Sequence, residues 1–225
     1  FSLYDGMNSK MSFCRYFGSW ERRFFMKLKK IFAVALAFCA MFAVTAVMPQ
    51  TAGAEPYTYT NKEEGYSIMC PTKPLGVLPA SVLNEDEKGS VLVFANDGYK
   101  INKAWIIIPD GFAKGDLPDL TKLSQKDEAL LLTQLKENSA YAVVDIIPVT
   151  AKTKGVFAVT AKTIMVDTDG DGELDTEATA DTQMAVVFLR SEKGRAFKIE
   201  LIDNPEITAK NVSEFRAGIS TLKDL

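Results

Sequence analysis

SVLVFANDGYKINKAWIII, residues Ser90 to Ile108, sets two apolar runs rich in β-branched and aromatic side chains on either side of Asn96-Asp97-Gly98. Those three turn residues tolerate the positive φ that tight hairpins demand, so the stretch predicts a hairpin of Ser90–Ala95 against Ile101–Ile108. Trp105, inside the second run, is expected in the core. A hairpin enforces antiparallel pairing, and the same alternation of apolar run and turn continues in both directions.

Upstream, Tyr57 to Thr60 alternates as YTYT, breaks at the polar turn Asn61 to Gly65 and resumes as Tyr66 to Cys70; Pro71 to Pro79 reads as a loop. Downstream, Ser124 and Asp127 approximate a capping box for a helix that ends near Asn138. Ala129, Leu132 and Leu135, with Leu131 beside them, form its apolar stripe. Tyr141–Val149, Val156–Val166, Met184–Leu189 and Ala196–Ile202 read as strands, the last two joined by the turn Glu192-Lys193-Gly194. A final helix is expected from Asn211, capped by that side chain with Glu214 at the third position. Val212, Phe215, Ile219 and Leu222 recur along it at helical spacing and predict an apolar face against the sheet. Strands joined by short turns, with two separated amphipathic helices, give an α+β domain: an antiparallel sheet covered by helices.

The opening EPYTYTNKEEGYSIMCP, Glu55 to Pro71, resembles the start of PsbP-like domains, a fold shared with the Ran-binding Mog proteins. In those domains a polar turn leads into a Gly-aromatic-x-Ile strand and then Pro, as Gly65-Tyr66-Ser67-Ile68 and Pro71 stand here. The order that follows, with a last helix ending near Ser220-Thr221-Leu222, is also similar to theirs. The resemblance implies a non-enzymatic binding or accessory protein of an exported compartment.

Residues 26–54 have the three parts of a secretory signal peptide. Lys27, Lys29 and Lys30 form a basic head, Ile31 to Val47 is apolar apart from Thr45, and Ala52-Gly53-Ala54 ends a small-residue cleavage site. No basic stop-transfer flank follows, so cleavage after Ala54 is expected rather than anchoring. Cys39 lacks the small preceding residue of a lipoprotein signal, having Phe38 instead. Residues 1–25 read as upstream leader, because Glu21-Arg22-Arg23 can be encoded by a bacterial ribosome-binding sequence. The domain is then 55–225. Seven of the 26 basic and two of the 29 acidic residues precede Glu55, which leaves 19 against 27, a net charge of −8. That balance disfavours nucleic acid and anionic membranes as partners and suits cations. Cys70 is the one cysteine of this part, so no internal disulfide forms, and a buried structural thiol is expected.

One stretch suggests chemistry: Asp167-Thr168-Asp169-Gly170-Asp171-Gly172-Glu173-Leu174-Asp175. A hard cation such as Ca²⁺ wants several oxygen ligands in a small loop; carboxylates at positions one, three and five with Gly at six supply that pattern. Asp167, Asp169 and Asp171 are the expected ligands, with the Glu173 carbonyl and, through water, Asp175. Position twelve is Ala178 rather than the bidentate Glu of an EF-hand, Glu177 comes one residue early, and both flanks look like strands. A weak site of ~10⁻⁴–10⁻³ M is therefore expected. The alternative is a solvated acidic turn. The D-x-D-G pattern after an apolar strand also resembles haloacid-dehalogenase-type phosphatases, but Asp171 stands where that motif takes Thr or Val.

The chain has no His, which excludes Ser-His-Asp, Cys-His and His-ligated zinc sites. It also lacks a G-x-S-x-G elbow, a P-loop and a G-x-G-x-x-G turn. The residues point to an exported soluble module of the bacterial envelope that binds a protein or ligand. The alternative is an envelope hydrolase using carboxylates such as Asp110, Asp116 and Asp119. Protein recovered from its host should begin at Glu55; an intact mass that retains Ile31–Val47 would mean an anchor instead.

Overall fold

Short apolar runs in this chain become strands, and the two amphipathic segments become helices. The computed structural model describes residues 55–95, 101–113, 116–137, 141–160, 163–166, 176–179, 183–203 and 207–225; the segments read as leader and signal peptide lie outside them. In chain order the elements are β1 (Tyr57–Asn61), β2 (Tyr66–Cys70), β3 (Gly76–Pro79), β4 (Ser90–Ala95), β5 (Ile101–Pro109), α1 (Gln125–Glu137), β6 (Tyr141–Pro148), β7 (Lys154–Thr160), β8 (Thr163–Val166), β9 (Thr176–Thr179), β10 (Gln183–Arg190), β11 (Ala196–Asp203), α2 (Ala209–Ile219) and β12 (Lys223–Asp224).

Seven strands form the main sheet in the order β3-β4-β5-β11-β10-β7-β6, antiparallel throughout. β1, β2 and β12 make a second sheet, and β8 pairs with β9. The hairpin β4–β5 forms as predicted, with Leu92 opposite Trp105; its turn, Asn96 to Gly98, lies outside the described residues.

Alternation along the strands sends side chains to two faces. On one, Trp105, Ile107, Val187, Phe197, Ile199 and Leu201 join Tyr66, Ile68 and Cys70 of β2 and Phe215 and Ile219 of α2. Trp105 is fully buried, with Phe94 and Phe215 edge-on at 5.5 and 5.4 Å between ring centroids. α2 runs so close over Trp105 that a β-carbon at Gly218 would lie 2.5 Å from the indole, so only glycine fits there. On the other face, Val186, Phe188, Val156 and Ile146 pack with Leu131 and Leu135 of α1. Leu78 and Leu83 cover Val91, Ile106 and Ile202 at the β3 end of the same face. The sheet is thus antiparallel, with one helix on each face.

Four details differ from the pattern reading. Gly76–Pro79, expected in a loop, is an edge strand, a position that tolerates Pro because one side of its backbone pairs with nothing in the sheet. The expected strand Val156–Val166 is two strands. Between the pairs Val159↔Ala185 and Thr163↔Thr179 the returning chain has two more residues than the outgoing one, which interrupts the ladder. In α1 the buried side chains are Leu131 and Leu135, one turn apart, while Ala129 is exposed; Ser124 does cap this helix, its Oγ accepting from Asp127 N at 3.2 Å. α2 starts earlier than expected. Thr208 is its cap, accepting from Asn211 N at 3.1 Å, and the Asn211 side chain instead donates to the buried Asp203 carboxylate and accepts from Lys103 at 3.1 Å. A buried carboxylate needs donors, and that demand outweighs a second cap for the helix.

Two measurements test this core. Phe215→Ala should lower stability by about 3–5 kcal/mol in urea titration; a loss below about 0.5 kcal/mol would place α2 at the periphery. Burial pushes the Cys70 thiol up to about 12, and it also pushes the Tyr66 hydroxyl up. Both groups stay neutral in the fold at a pH where the unfolded chain ionises. Their contribution is therefore complete below the ordinary thiol value of ~8.5 and declines as pH rises from there toward the folded values. The urea midpoint should hold below that value and fall above it; an unchanged midpoint at about pH 10 would contradict the burial of these two groups.

Candidate functional site

β7 and β10 run side by side through the main sheet, and their continuations β8 and β9 pair again beyond it. The last pair of that ladder is Val166↔Thr176, so antiparallel strands bring the two ends of segment 167–175 together. Five of its nine residues are acidic: Asp167, Asp169, Asp171, Glu173 and Asp175, the expected calcium ligands. All five lie outside the described residues. The described flanks, β8 and β9, are strands, as expected, and not the two helices of a helix–loop–helix. Ala178, at position twelve, pairs with Ile164, and Glu177 pairs with Met165; both belong to the ladder. Among the described residues no group of three or more His, Cys, Asp or Glu side chains is arranged to hold a metal.

The opposite end of β7 and β10 meets the β6–β7 turn, the β10–β11 turn and the exit of β5, since Pro148 pairs with Lys154, Arg190 with Ala196 and Phe197 with Pro109. Arg195 ties this end together. Its Nε and Nη2 donate to Asp110 Oδ2 at 3.1 and 2.9 Å, and its Nη1 donates to the Glu64 carbonyl and lies 3.7 Å from Asp224. The Asp110 hydrogen bond, more than any other contact, raises the affinity of this guanidinium for its proton. Asp110 itself holds φ at +55°, a conformation unusual for a residue with a β-carbon.

The carboxylates considered for hydrolysis have local duties here. Asp110 pairs with Arg195, Asp116 accepts from Ala113 N at 3.1 Å, and Asp119 accepts from Thr121 N at the start of a short 3₁₀ turn, Leu120–Lys122. The Thr121 hydroxyl at 2.6 Å, followed by Lys122 at 2.9 Å, holds the Asp119 carboxyl below its ordinary value. A general acid in glycoside hydrolysis needs the opposite shift.

Beside Asp119 a cleft of about 260 Å³ opens between residues 117–121, the β6–β7 turn and the β10–β11 turn. Lys152, Lys154, Arg190 and Glu192 line it together with Thr153 and Ser191. Arg190 builds one wall: its Nε and Nη2 donate to the Leu117 carbonyl at 3.1 and 2.6 Å. The sequence does not assemble this cleft, because its lining comes from three turns far apart in the chain. A basic residue on each side of Thr153 and another at the end of β10 was the available signal, and it acquires meaning only through the strand register.

No protein-family model and no curated protein matches this chain. Among the described residues no helix is long and apolar enough to cross a membrane.

Proposed function

We propose that this chain is an exported, non-enzymatic binding or accessory module of the bacterial envelope, PsbP-like in fold, that carries a weak calcium site in its 167–175 loop. The observation that supports the calcium reading most is the pair Val166↔Thr176, which confines five acidic residues within nine positions. Carboxylates so confined repel one another, and a divalent cation relieves that repulsion. Asp167, Asp169 and Asp171 supply the charged ligands, with the Glu173 carbonyl and a water on Asp175. Ala178 and Glu177 are held in the β9 ladder, so the loop works without the twelfth-position bidentate ligand, and the affinity is low for that reason.

The accessory reading draws on the signal-peptide pattern before Glu55, on the resemblance over Glu55–Pro71 and on the α+β sheet with a helix on each face. The engaged state of Asp110, Asp116 and Asp119 favours it over the hydrolase. Its partner is an envelope protein or ligand, with no nucleic acid and no membrane insertion after processing.

Calcium at about tenfold above its Kd should stabilise the fold by ~1.4 kcal/mol, a rise of a few degrees in melting temperature. Magnesium should do less, because it demands octahedral geometry and keeps its waters. Asp169→Ala should abolish the calcium response and slightly raise the melting temperature of the metal-free protein. A turn held by Asp hydrogen bonds would lose stability in both conditions. If millimolar calcium gives neither a thermal shift nor calorimetric heat, the loop is an acidic turn without a metal.

A further inference from the structure

The geometry points to the cleft at the β6–β7 and β10–β11 turns as a binding site for a small carboxylic acid, at the opposite end of β7 and β10 from β8 and β9. The β7–β10 ladder ends at Leu189↔Gly155, which sets Arg190 and Lys154 at the next opposed positions. Lys152 lies two residues before Lys154 and lines the same cleft. Like charges on facing strand positions disfavour the fold unless anions attend them. Here the attending groups are mostly carboxylates and a carbonyl: Glu128 on Lys154 at 2.6 Å, Glu192 on Lys152 at 3.2 Å, and the Leu117 carbonyl on Arg190.

These partners differ in how firmly they are placed. Glu128 and Lys154 are partly buried, with side-chain exposures of 24% and 36%, and they join α1 to β7. Glu192 and Lys152 are 50% and 74% exposed, an ion pair at the mouth that contributes little and opens at small cost. Glu192 thus places a carboxylate where a ligand's carboxylate would sit. A small acid entering the cleft takes Lys152 from Glu192, so one ion pair replaces another, and it brings its second acidic group toward Lys154. Thr121 and Ser191 line the same space, their hydroxyls donating to Asp119 at 2.6 Å and to Asp224 at 2.9 Å. Among the described residues that line the cleft none is aromatic, so no platform for a sugar is among them. Its three cations, Lys152, Lys154 and Arg190, stand among the carboxylates Asp119, Glu192 and Glu128, within a domain of net charge −8.

Succinate, with inorganic phosphate for comparison, tests the assignment on the exported protein at low ionic strength, freed of calcium beforehand on a chelating resin, read by amide chemical shifts. Succinate should give saturable shifts at Lys152, Thr153, Lys154 and Ser191 with a millimolar Kd. Lys152→Gln, a change at an exposed position, should weaken binding about tenfold. Glu192→Gln should tighten it about threefold, because the internal competitor is gone. No saturable shift up to about 50 mM, phosphate binding as tight as succinate, or weaker binding in Glu192→Gln would each overturn the proposal. With calcium removed, failure here leaves the calcium reading standing, and the reverse also holds.

Discussion

Strand β11 is buried at all eight of its positions, and the rest of the fold answers to that constraint. It is paired along both edges, with β5 and β10, so its backbone is satisfied by the sheet. Its side chains alternate, and both faces therefore need a cover. Phe197, Ile199 and Leu201 are closed over by β2 and α2. On the other face Ala196 packs in the α1 cluster and Ile202 in the β3 cluster. Between those two clusters lie Lys198 and Glu200, buried and 3.1 Å apart, with Glu87 3.8 Å from the lysine. Breaking such a pair leaves a buried charge uncompensated, and the pair divides this face into two apolar regions.

The two ends of the sheet have different chemistry. Around Asp203 and Lys103, which pair across β11 and β5, buried charge is taken up by the first turns of α2, where Glu214 lies 3.0 Å from Lys103. In the chain, β8 and β9 adjoin β7 and β10 at this same end. At the other end Arg195 gathers the β1–β2 turn, the β5 exit and β12, and the cationic cleft opens beside it. A chain of net negative charge thus keeps lysines and an arginine where three turns meet. Five of its acidic residues fall within the nine positions between β8 and β9.

Local chemistry determined much of this protein from the sequence alone. Asn96-Asp97-Gly98 between apolar runs implied β4–β5, the Ser124–Asp127 pair marked the start of α1, and the spacing of Phe215 and Ile219 showed which face of α2 is buried. Those signals involve residues close in the chain, and their physics is local: turn conformation, capping and helical periodicity. The acidic loop was legible for the same reason, as a run of ligand-type residues between two strands. Tertiary structure decided what depends on distant partners. It made Gly76–Pro79 a strand because β4 offered an edge, and it moved the α2 cap to Thr208 because buried Asp203 draws on Asn211. It engaged Asp110 with Arg195, and it brought Lys152, Lys154 and Arg190 to one cleft, since only the register of β6, β7 and β10 places these turns side by side.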